Sequence, residues 1–238
     1  MKYIIAVISI AFAGLSFAAD TNDINKTIEK LNQAAANLKT LTTEIEYTHI
    51  QTLFDTQTVR TGKLFYFKDD SSAWLRINFE TLKQDQAKEQ KYREEYVFDG
   101  KKLTRIDYQS KSVVTEQYAK DNNTIEPFVL VQDYFPIIGL AKPQEMTQNF
   151  DITLNGDTLK LVPKENSRFH KTYTQINVTI NPELNLPIVF NASTTDNEEI
   201  TIKLNKMETS KPVKKEVFEL KIPGDFTHTQ KAIQSTND

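Results

Sequence analysis

Over most of its length this chain repeats its apolar residues at every second position, in short runs separated by turn signals. Successive side chains of a strand point to opposite faces, so a period of two marks half-buried β-strands. Ile45 and Tyr47 alternate with Glu44, Glu46 and Thr48, and Leu75, Ile77 and Phe79 alternate with Trp74, Arg76 and Asn78. Asp99-Gly100 and Asn155-Gly156 are tight hairpin pairs, and Asp69 to Ser72 is a turn by composition. Short turns join antiparallel neighbours. The pattern predicts strands over 42–54, 62–68, 73–79, 96–98, 103–108, 113–118, 150–154, 158–163, 173–180, 187–193, 199–206 and 217–220.

Three segments depart from this rhythm. Ile24, Ile28, Leu31, Ala35, Leu38 and Leu41 recur at spacings of three and four, which predicts one amphipathic helix over 23–41. The stretch 80–95 is charged and reads as a polar hairpin or a short solvated helix, with the hairpin favoured because it continues the meander. The stretch 124–140 is the greasiest of the chain after its N-terminus, and Pro127 and Pro136 frame it. Proline fits the first turn of a helix and stops one further on, so one or two short helices are expected. Phe128 and Val131 would share a helical face, with Phe135 one turn later. The predicted fold is mainly β with a helical contribution. It is a strongly curved, unclosed antiparallel half-barrel, with the N-terminal helix and a short helical lid on its concave face.

The N-terminus reads as a signal peptide over 1–18. Lys2 supplies the charge, 3–17 is almost wholly apolar, and Ser16 and Ala18 are the small residues before a cut. The apolar run is short of the roughly 20 residues that a bilayer span needs. The chain has 0 cysteines, so no lipid can be attached at the cut through a thiol, and no disulfide can brace the fold. A soluble periplasmic protein is expected, with one domain over 19–226 and a polar, frayed tail over 227–238. Lys plus Arg number 29 and Asp plus Glu 32, a net charge of −3 that argues against nucleic acid as a partner.

The residue types for catalysis are not gathered in the sequence. His49, His170 and His228 are far apart and lack metalloprotease spacing, and no nucleophile elbow, P-loop or dinucleotide fingerprint occurs. No enzyme activity, cofactor or metal is expected. The recurring aromatics carry more information, because a curved sheet under greasy helices forms the apolar concavity that ligands favour.

Several segments together resemble the LolA family of periplasmic lipoprotein carriers and its wider superfamily. Gly62 to Lys68 looks like the family's glycine-led second strand, and Leu75 to Phe79 like the strand after it. Phe98-Asp99-Gly100-Lys101-Lys102-Leu103 and the later Tyr108 match a hairpin of the family. Pro127 to Leu130 resembles the helix that covers the cavity, Asn155 to Lys164 a later hairpin, and Phe218 to Phe226 the closing segment. The resemblance implies that the inner face binds acyl chains, through Leu75, Ile77, Phe79, Tyr96, Phe128, Val131, Phe135 and Phe190. The family arginine that controls the lid falls on Lys68, and Asp69 replaces the proline after it.

The resemblance also implies partners: an acylated lipoprotein or lipid as cargo, an inner-membrane ABC-type lipoprotein-releasing transporter, and an outer-membrane acceptor. The chain is expected to act as a monomer. A second reading stands beside the carrier: a lipid-sensing or scaffold module that docks on a membrane protein through the charged stretch 80–95.

Overall fold

The computed structural model describes residues 21–118, 125–132, 134–140 and 142–231. The signal segment 1–18 and the end of the tail lie outside the described residues. Helix α1 (Thr21–Asn37) leads into twelve strands: β1 (Thr40–Gln51), β2 (Thr56–Lys68), β3 (Ala73–Gln84), β4 (Gln90–Phe98), β5 (Lys102–Asp107), β6 (Ser112–Gln117), β7 (Phe150–Asn155), β8 (Thr158–Pro163), β9 (Tyr173–Asn181), β10 (Leu186–Thr194), β11 (Glu198–Glu208) and β12 (Thr227–Lys231). Between β6 and β7 lie two short helices, α2 (Pro127–Val131) and α3 (Met146–Asn149).

All twelve strands form one sheet, in the order β12-β6-β5-β4-β3-β2-β1-β11-β10-β9-β8-β7. Hairpins build it outward from β1 on one side and from β11 on the other, and β1 and β11 pair at the centre. The sheet is open and strongly curved, as the pattern of two predicts. Stretch 80–95 is the far part of the β3–β4 hairpin: its turn at 85–89 is polar and exposed, while Glu94 and Glu95 on β4 are buried.

The pleat sends one set of side chains inward along the whole sheet. Ile45 faces Leu204, Tyr47 faces Ile202, and the row continues through Phe190, Val178 and Leu159. On the other wing Leu64 faces Ile77, which faces Tyr96. These residues belong to one core cluster that also takes in Leu31 of α1 and the segment 128–140. Apolar area removed from water at about 25 cal/mol per Å² is the main force holding such a layer together.

Four expectations are corrected. Helix α1 ends at Asn37, and Leu41 lies on β1 opposite Tyr66. The β-branched run Thr40, Thr42, Thr43 favours a strand there, and Leu38 and Leu41 still enter the core. Helix α2 stops at Val131, five residues before Pro136. The residue before a proline is pushed out of the helical region, so Phe135 reaches the core through a turn closed by its N–H on the Val131 carbonyl at 2.8 Å.

The segment 217–220 is not a strand; Lys215–Phe218 form a 3₁₀ turn. This part of the chain is a strap that crosses the convex face from β11 to the far edge of the sheet, so it has no strand beside it to pair with. Phe218 and Val213 pack on Val97, next to Phe65, Phe67 and Trp74, in a second core on the outer face. Arg76 of β3 donates to the carbonyls of Val217 and Glu219 at 2.7 and 3.1 Å. Finally, the tail is not frayed at Thr227. Residues Thr227–Lys231 pair with β6 in parallel, held by Lys231 on Glu116. This is the sheet's parallel pairing; the others run antiparallel.

Gly62 sits where the β2–β3 register shifts, and a Cβ there would lie 1.8 Å from the Asn78 carbonyl oxygen. That neighbour is backbone within a ladder and cannot rotate away. Gly62→Ala is therefore expected to destabilise the protein by about 1–3 kcal/mol, the ordinary range for overpacking. Lys63→Ala, at an exposed position, should stay within about 0.5 kcal/mol. Denaturant unfolding of both variants checks this, and equal stabilities would show that the strand yields at Gly62.

Candidate functional site

The eight residues expected to line a cavity do come together. Leu75, Ile77 and Phe79 lie on β3, Tyr96 on β4, Phe190 on β10, and Phe128 and Val131 on α2, with Phe135 just beyond. Each is at most 4% exposed, and all belong to the same cluster. The Phe128 ring lies 4.9 Å from that of Tyr66. Phe135 sits among Tyr47, Phe79 and Tyr96 at centroid distances of 5.6, 6.0 and 5.2 Å. Such tilted and edge-on pairs add about 0.5–1.5 kcal/mol each beyond their buried area. The segment 127–140 therefore covers the concave face and fills it. A groove of about 260 Å³ remains beside it, with Val129, Ile138, Met146, Phe150 and Phe169 on its apolar wall.

One polar contact ties the start of this segment to the sheet. Glu126, the extended residue before Pro127, accepts from the Lys68 ammonium at 3.4 Å and from the Tyr66 hydroxyl at 3.2 Å, both on Oε2. Lys68 is the last residue of β2. The other oxygen of Glu126 is buried and has no hydrogen-bond partner among the described residues. Burial outweighs the favourable charge of Lys68 and holds the Glu126 carboxyl above the usual carboxylate range. Burial and the neighbouring Glu126 likewise raise the Tyr66 phenol. The latch is thus a half-satisfied one. It positions the segment, but closing it desolvates a charge that water would solvate fully.

A second feature was missed from the sequence. Glu94 and Glu95 are adjacent on β4, 0% and 3% exposed, and the pleat sends them to opposite faces. On the concave side Glu94 accepts from Arg60 at 2.6 Å, from Arg105 at 2.7 and 2.8 Å, and from the hydroxyls of Tyr92 and Tyr96 at 3.0 Å. Arg60 also lies over the rings of Tyr47 and Phe79, at 4.5 and 4.9 Å. Burial and Glu94 push the Tyr92 phenol up to about 12. On the convex side Glu95 accepts from Arg76 at 2.6 Å and Arg93 at 2.8 Å, beneath the strap. The signal was present in the parity: Glu94 shares its face with Tyr96 and Phe98, where the alternation calls for an apolar residue.

Among the described residues no group of three His, Asp or Glu side chains is arranged to hold a metal ion. His49 is bonded to Glu198 at 2.8 Å on the rim of β1, away from the other two histidines.

The chain is thus an open, mainly antiparallel half-barrel, apolar on its concave face and covered there by a short, partly helical segment. Residues 86–221, more than half of the 238-residue chain, match the family described as outer membrane lipoprotein carrier protein LolA, and the chain belongs to that family. No curated protein matches the sequence. Solved structures share the fold at low identity. An uncharacterised conserved protein from Thermus thermophilus is 8% identical over 88% of this chain and 99% of that one, with a TM-score of 0.50. MucB is 11% identical over 84% of this chain and 64% of its own, with a TM-score of 0.54. These likenesses establish the fold alone.

Two outcomes follow from the buried charges. A carboxyl raised in the folded state binds its proton more tightly there than in the unfolded chain. Its contribution to stability is full below the ordinary glutamate value of 4.5 and is lost as pH rises through the folded value. The stability of the wild type relative to Glu126→Gln should therefore increase on acidification and decline toward neutrality, measured by denaturant unfolding across that range. A pH-independent gap would mean that the Glu126 carboxyl binds its proton equally in the folded and the unfolded chain. Glu94→Gln leaves Arg60 and Arg105 without their counter-charge and is expected to destabilise by about 3–5 kcal/mol. A loss under about 1 kcal/mol on unfolding would show that water reaches the pair.

Proposed function

We propose that this protein is a periplasmic carrier, exported by the signal segment 1–18, that shields acyl chains of lipoproteins on the concave face of its half-barrel. The observation that carries the reading is the cover: an apolar segment with Phe128, Val131 and Phe135 buried against the sheet, fastened at its start by the half-satisfied contact of Glu126 with Lys68 and Tyr66. A cover held mainly by apolar contact can be exchanged for another apolar surface at little net cost. An acyl chain is such a surface, and each CH₂ it buries contributes about 0.8 kcal/mol.

Leu75, Ile77, Phe79, Tyr96 and Phe190 are the floor that cargo touches once the segment moves. Phe128, Val131 and Phe135 are the contacts that cargo replaces. Lys68 controls the lid, in the place of the family arginine, by holding Glu126. Lysine offers a single point charge where arginine offers a planar fork, so the latch is the weaker of the two. A carrier must take cargo from one partner and surrender it to the next, and a weak latch serves both steps. The donor in this reading is an inner-membrane ABC-type lipoprotein-releasing transporter, and the acceptor lies at the outer membrane. No step of this work requires a cofactor or a catalytic group.

Native mass spectrometry of protein taken from the periplasm should show acylated material bound. A clean apo mass that gains nothing on addition of a lipopeptide would refute the reading. Phe128→Glu places a charge in the lid contact, where burial without a partner is costly. The sheet should still fold, the lid should favour its open state, and affinity for a fluorescent fatty-acid probe should rise by up to about tenfold, a change of about 1.4 kcal/mol, because the probe no longer has to displace a buried Phe128. Unchanged probe affinity in a folded Phe128→Glu protein would make 127–135 ordinary core.

A further inference from the structure

The hairpin joining β1 and β2 differs from several other tight turns in exposing large apolar side chains at its tip. Those at 69–72, 99–101, 155–157 and 195–197 are built from Asp, Asn, Gly, Ser, Lys and Thr, the residues that turns favour. The β1–β2 tip is Thr52-Leu53-Phe54-Asp55. Leu53 is 77% exposed and Phe54 71%, and Ile50 at the base is 38% exposed. They head the exposed large apolar residues of the described structure.

The tip is held firmly in this exposed position. Thr52–Phe54 form a 3₁₀ turn, and Asp55 closes it in the left-handed region with φ 51°. The neighbouring β3–β4 turn braces one side: Asp85 accepts from the Gln57 N–H at 2.6 Å and donates its own N–H to the Gln57 carbonyl at 2.8 Å. On the other side Gln51 donates to Glu198 at 3.0 Å. Two large apolar side chains are thus presented to water on a braced support.

Size and charge select the occupant. The exposed part of Leu53 and Phe54 amounts to roughly 250 Å², whereas a stable protein interface covers about 800 Å² on each partner. A protruding pair of this size suits a fluid apolar phase that closes around it. Around the tip Lys83, Lys88 and Lys91 stand against Asp55, Asp85 and Glu89 on one side, and Glu198 and Glu199 lie opposite Gln51 and Ile50 on the other, so the surrounding charge is not positive. No net field draws it to an anionic surface. The tip also lies at a particular end of the half-barrel. The last pair below it, Gln51–Thr56, is four residues beyond the Tyr47–Arg60 pair, about 13 Å at strand rise, and Tyr47 is where Phe135 rests.

We propose that the β1–β2 tip is a lipid-surface contact, with Leu53 and Phe54 entering the outer acyl region of an electrically neutral bilayer and setting the Phe135 end of the concave face toward it. The contact is separate from the acyl-binding reading, and each can fail without the other.

The absence of cysteine allows a clean test, because one introduced thiol is the only labelling site. Phe54→Cys carrying an environment-sensitive fluorophore should brighten several-fold with phosphatidylcholine vesicles and be quenched by nitroxides in the acyl chains. The same label at Asp157→Cys, on a turn at the opposite end of the sheet, should not respond. Added salt should leave the response unchanged. The double variant Leu53→Ser, Phe54→Ser should lose about tenfold in vesicle co-flotation, while its thermal unfolding and its affinity for the fatty-acid probe match the wild type. A silent label at position 54, an equal response at 157, a response abolished by salt, or undiminished flotation of the double variant would each overturn the proposal.

Discussion

An open sheet with an apolar concave face cannot stand bare in water, and the rest of this structure answers that constraint. A closed barrel covers its interior with itself. Here twelve strands curve without closing, and the cover comes from elsewhere in the chain. Helix α1 contributes Leu31 and Ile28, and the segment 127–140 contributes the aromatic and aliphatic side chains that fill the middle. The convex face has the same problem on a smaller scale, because Val97, Phe65, Phe67 and Trp74 point outward. The strap before β12 solves it by laying Val213 and Phe218 across them.

The two faces are also pinned by charge. Glu94 and Glu95 are neighbours in sequence, yet each is buried with two arginines on its own side of the sheet. Removing a buried carboxylate from such a group strands the cations, so these pairs fix the β2–β3–β4–β5 register more firmly than exposed pairs do. The concave cluster ties β2, β4 and β5 together near the end of the lid. The convex one fastens the strap through Arg76, which reaches both Glu95 and the Val217 carbonyl. Sheet, strap and edge strand thereby form a rigid frame. The segment 127–140 is joined to that frame at its start by Glu126, which accepts from Lys68 and Tyr66, and further on by Gln132, which accepts from Arg168 at 2.9 Å.

Belonging to the LolA family is consistent with this arrangement. The concave floor is made of side chains whose identity is loosely specified by chemistry, since many apolar residues of similar volume satisfy it. The latch is more specific in geometry, and here the chain places Lys68 where the family resemblance expects arginine. At the end of β2 the Lys68 ammonium lies 3.4 Å from Glu126, the residue before the apolar segment 127–140.

The sequence by itself determined the strands, because the period of two follows from strand geometry and does not depend on partners. It determined the hairpins for the same reason, through turn residues such as Asp99-Gly100 and Asn155-Gly156. It also determined which side chains face inward: parity along one strand places Leu75, Ile77 and Phe79 together without any knowledge of the fold. Only the tertiary structure decided where the non-repeating segments went. Val217 to Leu220 reads as a strand, but it crosses the convex face, where no ladder is available, and becomes a 3₁₀ turn. Thr227 to Lys231 reads as a frayed polar tail and becomes an edge strand, because β6 leaves an unpaired backbone beside it. Glu94 could be placed on the inner face by counting, but its arginines come from β2 and β5, and no local pattern links positions 34 and 11 residues away. Alternation is a property of one strand, whereas pairing, capping of edges and burial of charge depend on which strands are brought side by side.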